Sequence, residues 1–341
     1  MAGIDWIRAL PLLAAVLGLA AAGAWWARHH ALRRGLLDQP GERRSHRVAT
    51  PRGGGIGIAV AWALACVALW SGGSLPGPIA LAAATGVVLV GGAGYADDHR
   101  PLSAWWRLAA HLAAGAVLAA GLAATGAAVW LVVLTLASVP VLVNVWNFMD
   151  GIDGLATSQA ALAALGFAML AKDPGTALVA LALSAACLGF LPFNFPRARI
   201  FLGDVGSGVL GFALAVLAGL LLLLPGGERS GPGLLPVLFL PLSAFLVDAS
   251  LTLGRRIVQR EQWWQAHVGH AYQQAAARCG SHVPVTLAFG AWTALAVVVG
   301  EAAAGHGIAT RMAAAGGCLV IGTLAWRVIA VNRPYRKKER P

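Results

Sequence analysis

Five of the nine aspartates in this 341-residue chain stand where long apolar runs end. They are Asp97 and Asp98 after the third run, Asp150 and Asp153 after the fifth, and Asp204 after the seventh. A carboxylate beside a bilayer is costly, so it marks a paired, water-filled or functional place. Five converging from three loops point to a cation handled together with phosphates. The adjacent pair Asp97-Asp98 repels itself unless a proton or cation is shared. Such a pair can ligate Mg2+ or take a proton from an acidic nucleophile, whereas a pair in isolation would simply cap and solvate its loop. Asn144, Asn147, Asp150 and Asp153 recur every three residues, which on one continuous helix would align four hard oxygen donors in a stripe. Gly151 and Gly154 interrupt that regularity and admit a ligand close to the backbone. Asp204 sits in Gly203-Asp204-Val205-Gly206-Ser207-Gly208, a glycine-flanked helix start whose free N–H groups suit an anion. A carboxylate there repels a phosphate unless a divalent ion bridges them, so the conflict predicts metal. An N-cap is the plain alternative for Asp204.

Basic and imidazole groups gather in the same loops. Arg52 in Thr50-Pro51-Arg52-Gly53-Gly54 follows Arg43, Arg44, His46 and Arg47. This stretch either neutralises a phosphate, with Arg52 best placed, or lies as a polybasic strip on the membrane surface. Arg255, Arg256 and Arg260 precede Trp263-Trp264, read as interfacial anchors, and then His267 and His270. Two histidines at i, i+3 can bind zinc, but no further ligand with suitable spacing is nearby, so anion recognition or acid/base work fits them better. Asp248 lies inside the ninth apolar run.

These loops need an apolar scaffold to hold them. The chain is 58% hydrophobic and 11% charged, with a mean hydropathy of +0.72, where soluble domains run near ~25% charged. The expected fold is an all-α polytopic transmembrane bundle of about 10–11 spans in a single domain, 1–341. The spans lie near 9–27, 54–70, 78–96, 105–123, 128–146, 155–171, 176–194, 206–224, 233–253, 284–303 and 312–330. Two of them, 54–70 and 155–171, are at the short end of the spanning range. The loops near 28–53, 97–104, 147–154, 195–205 and 254–283 and the basic tail 331–341 share one side. Only Arg8, Lys172, Arg229 and Arg311 of the 25 Lys and Arg fall on the other, so the positive-inside rule makes the N-terminus periplasmic and the aspartate loops and C-terminus cytoplasmic. The net charge of +11 then reflects topology and contact with anionic membrane lipids, and no nucleic-acid partner is expected. Cys66, Cys187, Cys279 and Cys318 form no paired motif. A transporter is the rival class, but transport sites lie near the midplane while these aspartates cluster at one surface.

Taken together, four stretches resemble the polyprenyl-phosphate N-acetylhexosamine-1-phosphate transferases. They are Thr50-Pro51-Arg52-Gly53-Gly54, Asp97-Asp98 with Pro101-Leu102, Asn144 through Leu155, and Phe201-Leu202-Gly203-Asp204 with Gly206-Ser207. The likeness runs from Asp38 to Tyr272. Arg52 in its motif is similar to the O-antigen and common-antigen branch, and the loop Ala266 to Gln273 looks more like the O-antigen-initiating enzymes. The resemblance implies transfer of an N-acetyl-amino-sugar 1-phosphate from a UDP-sugar to undecaprenyl phosphate, with release of UMP, in a bacterial inner membrane. A peptidoglycan-type phospho-MurNAc-pentapeptide translocase is the alternative within the family. It further implies Mg2+, or Mn2+ in its place, on Asn147 and Asp204, with Asp98 sharing. By motif position Asp97 deprotonates or orients the prenyl phosphate, while Asp150 and Asp153 fix metal, nucleotide or attacking group. Arg52, Arg199, His267 and His270 hold phosphate or sugar, and Asn144, Gly203 and Arg256 complete the substrate-binding set. Direct attack is expected over a covalent aspartyl-phosphate route, and assembly as a homodimer stays open.

Overall fold

The computed structural model describes residues 3–38, 49–223, 231–262 and 267–331. Arg43, Arg44, His46, Arg47, Arg229, Trp263, Trp264 and the tail from 332 onward lie outside the described residues.

All eleven apolar runs are helices, because a chain in lipid must close its backbone hydrogen bonds within each segment. They are α1 (Trp6–Arg34), α2 (Ile56–Ser71), α3 (Gly77–His99), α4 (Ala104–Ala124), α5 (Val129–Phe148), α6 (Leu155–Leu170), α7 (Pro174–Asn194), α8 (Gly203–Leu223), α9 (Leu235–Val258), α11 (Val283–Ala304) and α12 (Ile308–Trp326). A twelfth, α10 (Ala271–Cys279), is short and lies in the loop after α9. Among the described residues nine helical segments are long and apolar enough to span a membrane, and α2 and α6 are the shorter exceptions, at the two runs read as short. A two-stranded antiparallel pairing, β1 (Leu37–Asp38) with β2 (Thr50–Pro51), closes the first loop with Leu37 opposite Pro51.

Helix starts follow local chemistry. Asp173 accepts a hydrogen bond from the Thr176 N–H at 2.7 Å, with Pro174 in the first turn of α7. Two boundaries differ from the spans read in the sequence. Helix α3 continues to His99, so Asp97 and Asp98 occupy its last turn, not a loop. Helix α5 stops at Phe148, so Asn144 and Asn147 share a helix while Asp150 and Asp153 lie in the turn beyond it. The four-residue stripe is therefore broken: Gly154 takes φ +74° and restarts the chain as α6.

Helix α8 is the axis of the bundle. Its spanning window is 94% buried, against 0% for α12 on the periphery. Glycines allow this. A Cβ on Gly94 of α3 would lie 2.4 Å from the Asp204 carbonyl oxygen, and one on Gly55 would lie 2.2 Å from the Gly206 Cα. A Cβ on Gly211 would lie 2.5 Å from the Leu142 carbonyl oxygen of α5. Backbones of α3, α5 and the approach to α2 thus touch α8 directly, as small residues permit in membranes. The start of α8, with Asp204, lies where they meet.

Candidate active site

The four motifs are stitched together through backbone and carboxylate. The Gly54 and Gly55 N–H groups donate to the Phe201 and Leu202 carbonyls at 2.9 Å, and the Phe201 N–H donates to the Pro51 carbonyl at 2.8 Å. This fixes Arg52 beside the start of α8. The Asp204 N–H donates to both Asp98 oxygens, at 3.3 and 3.1 Å. The free helix end expected to take a phosphate is thus faced by the chain's own Asp98, which suits the positive end of the dipole. Gly203 explains how Asp98 fits. Its φ is +76°, and a Cβ there would lie 2.7 Å from Asp98 Oδ2. Its observed part is to make room for that carboxylate.

Arg52 bridges two acids, with Nη1 3.5 Å from Asp98 Oδ1 and Nη2 3.6 Å from Asp38 Oδ2. The side chain of Asp98 is 4% exposed and that of Arg52 34%, so the guanidinium is the more reachable of the two. Asn147 Nδ2 donates to Asp204 Oδ1 at 2.9 Å and to Ser207 Oγ at 3.3 Å. Asp97 accepts from the Leu102 N–H at 2.5 Å and pairs with Arg107 at 3.0 Å.

Asp150 stands partly buried between these groups. Burial, followed by repulsion from Asp204 and Asp98, pushes its carboxyl up to about 8. Asp153 is committed elsewhere. It accepts from the Ala198 N–H at 3.2 Å, lies 3.3 Å from His282 Nδ1, and its carbonyl accepts from the Thr286 hydroxyl at 2.9 Å. Together with Asn194, which accepts from the Gly154 N–H and donates to the Ile200 carbonyl, it clamps the 149–154 turn to the 195–202 loop.

Other expected ligands are brought only part of the way. Asn144 donates to the Pro140 carbonyl at 2.7 Å and faces His111 at 3.4 Å, lining a chamber of about 40 Å³ with Asp97, Arg107, Asn147 and Asp204. Arg199 lies over the Phe193 ring and donates to the Pro192 carbonyl, so in this state it turns back onto α7 and away from the carboxylates. Arg256 pairs with Glu261 at 3.1 Å. His267 and His270 stack with ring centroids 4.8 Å apart. Burial, then His270, Arg256 and Arg255, lowers His267 to about 4, and its Nδ1 accepts from the Gly269 N–H. Arg107 and His111 were not picked out from the sequence, and Ser207 was named there only as part of the last motif. The i, i+4 spacing of Arg107 and His111 on α4 was the available signal.

Hard oxygens at the start of α8 fit a divalent ion. Asp97, Asp98 and Asp204 gather here with Arg52 and Arg107 as the cations paired to them, and burial, followed by repulsion from Asp204 and Asp98, raises the Asp150 carboxyl beside them. Among the described residues no three His, Cys, Asp or Glu side chains form a metal cage by themselves. An ion there would complete its shell with water and substrate oxygens, as Mg2+ characteristically does. In the observed rotamer Asn147 presents its amide nitrogen to Asp204, so its carbonyl oxygen would have to turn inward to ligate. Beside this cluster opens a cavity of about 770 Å³ lined by Trp26, His30, Arg52, Tyr95, Asp97 and Asp98, among others.

Residues 80–221, from α3 to α8, match the model of glycosyl transferase family 4. The chain is 31% identical over 354 aligned positions to a decaprenyl-phosphate N-acetylglucosaminephosphotransferase of Mycolicibacterium smegmatis, covering 89% of this chain and 85% of the relative. A probable undecaprenyl-phosphate N-acetylglucosaminyl 1-phosphate transferase of Bacillus subtilis is 28% identical over 246 positions, covering 68% and 67%. A phospho-N-acetylmuramoyl-pentapeptide-transferase of a Synechococcus strain is 56% identical over 75 positions, 22% of each chain.

Proposed function

The chain belongs to the polyprenyl-phosphate N-acetylhexosamine-1-phosphate transferases of glycosyl transferase family 4, and from that premise we propose that it transfers an N-acetyl-amino-sugar 1-phosphate from a UDP-sugar to undecaprenyl phosphate, releasing UMP. The observation that carries this reading is the meeting of Asp98, Asn147 and Asp204 at the first turn of α8, with Arg52 reaching in from the side. In the reaction an oxygen of the prenyl phosphate bonds to the sugar-bearing phosphorus, and the bond from that phosphorus to the bridging oxygen of UMP breaks. Two phosphate groups must approach, so positioning and neutralisation supply most of the catalysis.

Arg52, held by Asp38 and Asp98 yet still accessible, orients phosphate oxygens at the mouth of the cavity. Asp98, Asp204 and the carbonyl oxygen of Asn147 are the groups that would hold Mg2+ or Mn2+, with Asp150 nearby. Bound there, the ion supplies charge neutralisation for the diphosphate and the departing UMP. Asp150, with its carboxyl raised by burial and by its acidic neighbours, is placed to donate a hydrogen bond to a phosphate oxygen and so fix the attacking group. Asp97, which lines the large cavity and is held by Leu102 and Arg107, would orient or deprotonate the prenyl phosphate, and Asp153 fixes the turn that carries Asp150.

The excess of Lys and Arg on the loop side supports a bacterial inner-membrane location with the site facing the cytoplasm. The product then starts a lipid-linked envelope glycan of the O-antigen type. The Synechococcus match favours a second reading, a MurNAc-pentapeptide donor. A donor panel separates them: purified protein, undecaprenyl phosphate and Mg2+ with UDP-N-acetylglucosamine, other UDP-N-acetyl-amino sugars and UDP-MurNAc-pentapeptide. UMP from an amino-sugar donor supports the first reading, UMP from the pentapeptide donor alone the second, and no UMP from any donor contradicts both.

A further inference from the structure

Asp248 belongs to none of the four motifs, yet it is 3% exposed in the last half of α9. A carboxylate so placed near a bilayer needs compensation. Oδ1 accepts from the Ala271 N–H at 2.9 Å and from the Thr252 hydroxyl at 3.0 Å, and Oδ2 accepts from the Tyr272 N–H at 3.0 Å. His270 Nδ1 lies 3.5 Å from Oδ1. Asp248 thus caps α10 from a different helix, satisfying two first-turn N–H groups and facing the positive end of its dipole. Thr252 in turn accepts from the Trp326 indole of α12 at 2.9 Å.

The far side of α10 reaches the candidate site. The Tyr272 hydroxyl donates to the carbonyl of Phe148, the last residue of α5, at 2.9 Å. Its fully buried ring leaves no space at Gly151, where a Cβ would lie 2.2 Å from the hydroxyl oxygen. The His270 ring centroid lies 6.1 Å from that of Phe148, and His267 stacks on His270. Asn147 and Asp150 flank this contact in the chain. A buried carboxylate network is a poor way to gain stability alone, since apolar residues of equal volume do as well. What it adds is one register for α10.

We propose that Asp248 is a positioning residue of the transfer reaction: it fixes α10 against α9 so that Tyr272 holds the Phe148–Asp150 turn and the His267–His270 pair stands beside it. The proposal rests on reading the carboxylate cluster as the transfer site. Two variants of the full-length protein test it. Asp248→Asn keeps the volume but aims an NH2 group at N–H donors, and Tyr272→Phe removes only the hydroxyl. Each is followed by hydrogen exchange along the chain, by melting temperature, and by kcat and KM for UMP release. Asp248→Asn should speed exchange in 267–279 while α3, α5 and α8 stay protected. Both variants should lose about tenfold or more in kcat, as small misplacements do, with Tyr272→Phe melting close to wild type. Unchanged exchange in 267–279, or normal kcat in the folded fraction of either variant, overturns the proposal. If wild-type protein releases no UMP from any donor, the transfer reading fails by itself, and exchange still decides whether Asp248 fixes α10.

Discussion

At the scale of single residues, the site is a balance between carboxylates and too few cations. Asp98 spends its charge on the start of α8 and on Arg52, while Asp97 spends its own on Leu102 and Arg107. In the metal-free protein burial, then Asp204 and Asp98, push the Asp150 carboxyl up to about 8. Its value in an unfolded chain is about 3.9. Between these values the folded state binds more protons than the unfolded state, so stability falls as pH rises. Metal-free protein in detergent should therefore melt progressively lower from about pH 5 to pH 8, and Asp150→Asn should flatten that slope. A slope unchanged in the variant would contradict this assignment. Asp98, Asn147 and Asp204 were readable from the sequence because each lies at the end of an apolar run, where charge is conspicuous. Arg107 and His111 were not singled out, because their partners Asp97 and Asn144 come from other helices and spacing along α4 names no partner.

At the scale of elements, the eleven helices could be read from runs of apolar residues, but the helix ends could not. The three-residue spacing of Asn144, Asn147, Asp150 and Asp153 suggested one helix, yet the chain turns after Phe148 and Gly154 adopts a left-handed conformation. Periodicity carries no information on where the helix stops; glycines and tertiary clamps such as Asp153 and Asn194 decide it. The crossing of α3 and α8 depends on Gly94, whose absent Cβ lets Asp204 come to backbone contact. Gly94→Val should force the helices apart and cost roughly 1–3 kcal/mol, the usual penalty of overpacking. Thermal melting would register the loss, and UMP release should fall further than the loss of folded protein explains. A variant that melts and turns over like wild type would remove Gly94 from the account.

At the scale of the whole molecule, a bundle wrapped around α8 brings loops separated by more than a hundred residues to one end, and the family match from α3 to α8 covers the helices that carry Asp97, Asp98, Asn147 and Asp204. The buried start of α8 explains why an apolar protein tolerates so many acids in one place. On the proposed reading, the positive-inside pattern of the loops predicts that this end faces the cytoplasm. A cysteine introduced at Gly35 should accordingly react with a thiol reagent only after the cytoplasmic face is opened, and labelling from the periplasm would reverse the topology. The central claim is that the carboxylates meeting at Asp204 carry out sugar-phosphate transfer. The most direct test is UMP release by purified wild-type protein and by Asp204→Asn, with undecaprenyl phosphate, UDP-N-acetyl-amino sugar and Mg2+. Wild type should release UMP, chelation of the metal should stop it, and a folded Asp204→Asn protein should release essentially none. Near-normal turnover by Asp204→Asn would contradict the claim.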